Sequence, residues 1–272
     1  MKLSIITATL NSDPTIEHTI TSIRNQTFKN VEHIFADGGS TDSTLKIIDK
    51  SNLTNHKVLS GLDNGVYDAL NKGISLASGE IIGLLHSDDE YSYDTVLEDV
   101  MNIFKDQSID YVYGDLVYVK KEDTSKIVRY WKSGYFKKSR MFRGWIPPHP
   151  TLFVRRSVLE KYGLYDTDFR ISGDYEYMLR LFLNSKLKYK YLPKVLVHMR
   201  TGGISNKNLK SRVKANIEDR LAWKKNKISP RWYTFYLKPI RKIPQLFKSP
   251  PKAILRNSKR YIRNKNYFPQ SF

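Results

Sequence analysis

The chain has 272 residues, with 46 Lys and Arg against 27 Asp and Glu for a formal net charge of +19, and no cysteine. That length supports one large domain with appendages and a sizeable core, while the missing cysteines exclude a disulfide framework and a thiolate metal site and fit a reducing compartment. No run approaches the roughly 18 apolar residues of a membrane-spanning helix, and the charge is local: residues 1–204 carry 27 basic against 25 acidic side chains, residues 205–272 carry 19 against 2.

In chain order, Leu3–Thr9 reads as a first strand, too short in its apolar run for the core of a signal peptide, followed by a helix over about Asp13–Asn25 with Ile16, Ile20 and Ile23 at helical spacing. A second strand, Glu32–Ala36, ends at Asp37-Gly38-Gly39-Ser40-Thr41-Asp42, where Ser40 or Asp42 caps a helix carrying Leu45, Ile47 and Ile48. A short strand near Lys57–Leu59 leads to Asp63-Asn64-Gly65 and a helix over Val66–Ala77, and residues 80–85 form a continuous apolar strand. Such alternation predicts a Rossmann-like, mostly parallel sheet flanked by helices. The first strand is not followed by GxGxxG, which disfavours a dinucleotide site of the dehydrogenase type.

Beyond residue 90 the pattern loosens. The spacing predicts a helix near 93–105, a strand over Tyr111–Tyr118 turning back into Ile127–Trp131, and a loop from Lys132 to Pro150. A strand at Thr151–Val154, a helix over Arg156–Tyr162, a helix over Tyr175–Asn184 opened by Gly173-Asp174, and a strand at either Leu187–Tyr191 or Val195–His198 follow. Thr201–Ser205 reads as a flexible turn. Residues 206–272 read as a basic, aromatic extension separate from a domain over 1–205, itself divided into a nucleotide-binding half, 1–90, and an acceptor-binding half, 91–205.

Chemistry concentrates at the ends of predicted strands, where open α/β sheets bind ligands. Asp88 and Asp89 follow the strand at 80–85, and two adjacent carboxylates ejected there repel unless a cation lies between them. Hard cations such as Mg²⁺ or Mn²⁺ take oxygen ligands and share them with substrate phosphates; the competing reading is an acidic turn. Asp37 either accepts a hydrogen bond from a ligand N–H or caps the turn through Gly38-Gly39. Asp174 is either a carboxylate open to a cleft or an N-cap favoured by the helix dipole.

Taken together, Ser4–Asn11, Phe35–Asp42, Asp63–Gly73, Ser87-Asp88-Asp89 and Ile171–Asp174 resemble, in order, motifs of the family 2 glycosyltransferases of GT-A fold, of the bacterial surface-polysaccharide type. The likeness spans residues 1 to about 205. It implies inverting transfer from a nucleotide-diphosphate sugar, expected to be a UDP-sugar, to a lipid-linked or polysaccharide hydroxyl. It further implies that Thr7, Asn11, Asp37, Asp63, Lys72 and Asp88 bind the nucleotide sugar, with Asp37 on the base and Asp88 on the ribose. Asp89 and His198 would hold Mn²⁺ or Mg²⁺, and Asp174 would be the general base. Asp174 departs from the Glu-Asp pair of many relatives, because Gly173 replaces the acid. His149 sits in a loop restricted by prolines and either faces the acceptor or packs, and Arg200 beside Gly202-Gly203 reads as part of a lid over phosphates.

In the extension, Ile254, Leu255, Tyr261 and Ile262 fall on one face of a helix starting at Pro251, and Lys and Arg interleave with aromatics. An anionic membrane surface is the expected partner, with the protein cytoplasmic and peripheral on the inner face of the membrane. Nucleic acid is not expected, although basic and aromatic composition also suits it. A nucleotidyltransferase is the remaining enzymatic alternative.

Overall fold

The structure, a computed structural model, describes residues 1–202 and 209–247. The helix expected from Pro251 lies outside the described residues. Four strands form the parallel half of the sheet: β1 (Leu3–Thr9), β2 (Val31–Asp37), β3 (His56–Ser60) and β4 (Ile81–Leu84), in the order β3-β2-β1-β4. Helices α1 (Ile16–Arg24), α2 (Thr44–Asp49) and α3 (Val66–Leu76) connect them. β1, β2 and β4 are buried along nearly their whole length, so their continuous Ile, Leu and Phe runs are what two covered faces require.

The sheet continues in mixed sense through β8 (Phe153–Arg155), β6 (Tyr111–Val119), β9 (Tyr189–Arg200) and β5 (Glu90–Tyr91), with β7 (Ile127–Trp131) paired to β6. β4 and β8 run antiparallel, as do β8 and β6, while β6 and β9 run parallel. Helices α4 (Val96–Phe104), α5 (Lys138–Met141), α6 (Arg156–Tyr162) and α7 (Gly173–Phe182) cover this half. The mixed, helix-flanked α/β fold expected from the sequence is therefore present.

Two local expectations change. The alternative strands at 187–191 and 195–198 are one strand, β9, because a register break opposite Gly114 absorbs Pro193, whose missing N–H a regular ladder would not tolerate. The last helices, α8 (Leu209–Lys225), α9 (Thr234–Ile240) and α10 (Pro244–Phe247), are not a separate appendage up to residue 247. Trp223, Ala222 and Phe235 are buried in the same hydrophobic cluster as Tyr67, Tyr175 and Leu179, so α8 and α9 share the core of the preceding domain.

Candidate active site

Strands β1, β2 and β4 end together: Thr9 lies opposite Asp37, and Ile6 opposite Leu84. The loops that follow are tied into one rim. The Asn11 amide donates to Ser40 Oγ (2.9 Å), Asn11 Oδ1 accepts from the Thr41 amide (2.9 Å), and the Ser12 and Ser87 hydroxyls lie 2.9 Å apart. Asn11 takes a left-handed conformation (φ 49°) to make this crossing, which asparagine tolerates better than most residues.

Asp37 caps its own turn. Its Oδ2 accepts from the Gly39 amide (3.1 Å), the Ser40 amide (3.0 Å) and the Ser60 hydroxyl (2.7 Å), and Oδ1 from the Ser40 hydroxyl (2.5 Å). Each carboxylate oxygen offers about two acceptor sites, so Oδ1, with one donor, keeps room for one more. Asp37 also forms a wall of a cavity of about 120 Å³, shared with Asp63, Lys72, Ser60, Leu59 and Leu62. Asp63 Oδ1 accepts from the Gly65 amide (2.7 Å), and a Cβ at Gly38 would stand 2.5 Å from Asp63 Oδ2. Lys72 Nζ reaches the Leu62 carbonyl (3.1 Å) and pairs with Asp68 (3.0 Å).

Asp88 is half-buried and Asp89 fully buried. Among the described residues no side chain donates to the Asp89 carboxylate, toward which the backbone N–H of Arg200 is directed. Burial, then the charge of Asp88, pushes the Asp89 carboxyl well above the usual carboxylate range, and nearby Arg200 only partly opposes this. His198 is buried on β9 as the register partner of Glu90, so its imidazole shares a sheet face with the Glu90 side chain. Among the described residues, no three His, Asp or Glu side chains gather into a metal-binding group. This donor set fits a cation that takes few ligands from protein and the rest from substrate phosphates, the usual habit of Mg²⁺; it does not fit an all-protein cage.

Asp174 opens α7 and is half-buried. Its Oδ1 accepts from the Tyr175 amide (2.8 Å) and the Tyr67 hydroxyl (3.3 Å), whose O–H also points at the Ile171 carbonyl (2.8 Å). Burial raises the Asp174 carboxyl above its usual range; the charges of Lys238 and His86 and the two hydrogen bonds oppose this. Gly173 has a clear cause: a Cβ there would lie 2.8 Å from the ring of Tyr67, so the tyrosine fills the space an acidic neighbour would need. Burial raises the Tyr118 hydroxyl above its ordinary value, and the charges of Asp89 and Asp174 add to this while Arg129 opposes it.

Three expected ligand contacts, Thr7, Arg200 and His149, are corrected by the accounting of donors. Thr7 is fully buried, bonded to the Leu85 carbonyl and the His33 ring (both 2.8 Å), and acts as a strut between strands. Asn11 spends its carboxamide oxygen on the Thr41 turn but is exposed, and the two N–H donors of the same group leave its expected contact with the nucleotide sugar standing. Arg200 is no lid: it is buried, donating to Glu90 Oε1 (2.7 Å), the Asp88 carbonyl (3.1 Å) and the Lys121 carbonyl (2.8 Å), and so braces the acidic loop. His149 is buried too, 2.7 Å from the Tyr165 hydroxyl, and burial followed by the charge of His86 lowers its pKa to about 3. It supports Tyr165, which stacks on Tyr67, from behind the site. The cavity beside Asp37 is not walled by Asp88, Asp89 or Asp174.

Several contributors escaped sequence reasoning. Tyr67 touches the proposed base from 107 residues away. Glu218 on α8 gathers the amides of Arg170, Ile171 and Ser172 on one carboxylate, with bonds of 2.8 Å from the last two, and so shapes the loop into α7. Arg170 hydrogen-bonds the Asn64 carbonyl and ties that loop to the one after β3. Only His86 carried a signal, its place directly before Ser87-Asp88-Asp89.

The sequence profile of the family described as Glycosyl transferase family 2 matches residues 4–163. A PGL/p-HBAD biosynthesis glycosyltransferase of Mycobacterium bovis is 32% identical over 208 residues, covering 75% of this chain and 78% of its own length. Among solved structures, S. aureus TarS 1-349 in complex with UDP-GlcNAc aligns with a TM-score of 0.60 at 20% identity, over 82% of this chain and 72% of that one. The mannosyltransferase PcManGT from Pyrobaculum calidifontis, in complex with GDP-Man and Mn²⁺, aligns with a TM-score of 0.62 at 16% identity, over 99% and 76%. The profile match ends before α7.

Proposed function

The chain belongs to glycosyl transferase family 2, and from that premise we propose that it moves a sugar, with inversion, from a nucleotide-diphosphate sugar to a hydroxyl of a lipid-linked or polysaccharide acceptor. The observation that carries the proposal is the buried Asp89 carboxylate, to which no side chain among the described residues donates. A buried carboxylate so thinly compensated is expensive, and a cation shared with a diphosphate relieves that cost.

In this reading the cavity of Asp37, Asp63 and Lys72 takes the nucleotide base, and Asp88 holds the ribose. Asp89 and His198 would hold Mn²⁺ or Mg²⁺, which supplies positive charge to the departing diphosphate when bound. Asp174 accepts the proton of the acceptor hydroxyl, as a raised carboxylate pKa suits. Tyr67 holds Asp174 Oδ1 in place through the 3.3 Å hydrogen bond, and Tyr165 and His149 stiffen Tyr67.

The basic extension favours an anionic membrane as the surface on which a lipid-linked acceptor is met. Among the described residues no helix is long and apolar enough to cross a membrane. Relatives of the same fold are bound to UDP-GlcNAc or GDP-Man, so the donor panel spans UDP-, GDP- and dTDP-sugars. The test is nucleoside diphosphate release with and without Mn²⁺, using membrane lipid extract as acceptor, with the anomer of the product read by NMR. Release that ignores Mn²⁺, or a product of retained configuration, overturns the proposal.

A further inference from the structure

Residues 231–243 run as nearly continuous helical turns: the amides of Thr234, Leu237, Arg241 and Ile243 bond to the carbonyls of Arg231, Tyr233, Leu237 and Ile240. One face of this segment is fixed to the body. Thr234 Oγ1 donates to the Phe142 carbonyl (2.6 Å), the Arg220 guanidinium lies over the Phe235 ring (4.5 Å), and Lys238 Nζ pairs with Asp219 (2.6 Å). The approach to Gly144 (φ 76°) is so close that a Cβ there would meet the Lys238 Cα at 2.5 Å.

The opposite face carries Trp232, Tyr236, Ile240 and Ile243, exposed by 83, 64, 54 and 53%. Their spacing of four, four and three residues is one stripe of a helix. A surface helix ordinarily turns that stripe toward the core; here the apolar face points outward. α8 repeats the inversion, with Glu218 and Asp219 buried and Val213, Ile217 and Leu221 exposed.

The surroundings say what covers the stripe. Arg231, Arg241 and Lys242 flank it, and Arg140 and Arg143 stand near enough to Arg241 for their charges to act on it. The only two acids in residues 205–272 are Glu218 and Asp219, and both are spent on inward bonds. Trp, Tyr and Ile on one face of a helix within an uncompensated field of cations match the boundary between the headgroups and acyl chains of an anionic bilayer. A polar or cationic protein partner matches neither feature.

We propose that the outward face of residues 231–243 is a membrane-docking element, in which Trp232, Tyr236, Ile240 and Ile243 enter the interface of an anionic bilayer while the flanking cations meet lipid phosphates. The proposal deepens the membrane part of the function proposed above, since it says which surface meets the bilayer. The docked segment is also the one whose Lys238 charge acts on Asp174, so docking sets the acceptor side of the site close to the lipid surface.

The test is co-sedimentation of the full chain with phosphatidylcholine vesicles, with and without phosphatidylglycerol. The comparison is between wild type and the triple variant Trp232→Glu, Tyr236→Glu, Ile240→Glu. The expected result is binding to the anionic vesicles only, weakened about 100-fold or more in the variant, which keeps its melting temperature and its rate of nucleotide release from donor. Wild type that ignores anionic vesicles overturns the proposal. So does a variant that binds as well as wild type, which would assign the membrane contact to residues 248–272. So does a wild-type dimer that the triple variant dissolves, which would make the stripe a contact between two copies. Absence of nucleotide release from both proteins would defeat the proposed transfer reaction and leave the vesicle result to judge docking by itself.

Discussion

Replacing Asp89 by Asn isolates the tension between folding and function at this site. The side chain is fully buried, and no side chain among the described residues donates to its two oxygens. Without a cation the fold must either desolvate the ion or bind a proton that water at neutral pH would remove, and the raised pKa points to the second course. The amide has nearly the same shape and carries no charge, so Asp89→Asn should stabilise the ligand-free protein by roughly 1–3 kcal/mol. For a chain near this size each kcal/mol moves Tm by about 2–4 °C, which predicts a rise of about 2 to 12 °C in EDTA. Transfer should fall by at least about 100-fold, because several kcal/mol of transition-state stabilisation by the cation is lost. Adding Mn²⁺ with UDP at about 100 times its dissociation constant should stabilise wild type by about 2.7 kcal/mol and leave the variant nearly unmoved. Thermal melts in EDTA and in Mn²⁺ with UDP, beside nucleotide release, read all three effects. A variant that melts below wild type in EDTA, or that stays active, would make Asp89 a structural carboxylate and refute the reasoning.

Asp174→Asn should lower turnover by about 10²–10⁴-fold, the usual worth of a general base, with the donor KM nearly unchanged; a large change in donor KM would place Asp174 on the donor instead. The base must be ionised to act and its pKa is raised by burial, so kcat/KM should fall as pH drops through a value above the ordinary carboxylate range. Tyr67→Phe removes a hydrogen bond that favours the ionised form and should move that acid limb further up; a limb that stays in place would detach Tyr67 from the base. Gly173→Ala drives a Cβ to within 2.8 Å of the Tyr67 ring and should cost roughly 1–3 kcal/mol by overpacking. Chemical denaturation would register that cost, and its relief in the double variant Gly173→Ala, Tyr67→Leu would confirm the cause.

The parallel half of the fold was legible because strands buried on both faces must be apolar throughout, and Ile5-Ile6, Ile34-Phe35-Ala36 and Ile81-Ile82 have no other use. The mixed half was less so. β5 is two residues long and exists only because β9 offers Val197 and His198 as partners, a tertiary fact with no local pattern. The C-terminal helices were misread as a free extension for a related reason. Their inward anchors, Trp223 and Phe235, are isolated among basic residues, while their regular apolar spacing belongs to the face turned away from the core. Periodicity reports which residues share a face, and the protein decides what that face meets.

At the site, carboxylates at strand ends were legible because chain position alone brings Asp37, Asp88 and Asp89 to one edge of the sheet. Polar residues beside them were not separable from sequence, because a loop leaving a buried strand must first satisfy its own backbone. Thr7, Asn11 and Arg200 serve that need: one joins strands, one holds a turn, one braces the acidic loop. Asp37 serves it with four donors and retains a single acceptor position. Asp89 differs in that both its buried oxygens receive no side-chain donor among the described residues. A buried carboxylate left with so little compensation costs the fold stability, and that is why the Asp89 carboxylate, rather than the more conspicuous Arg200 or His149, anchors the proposed function.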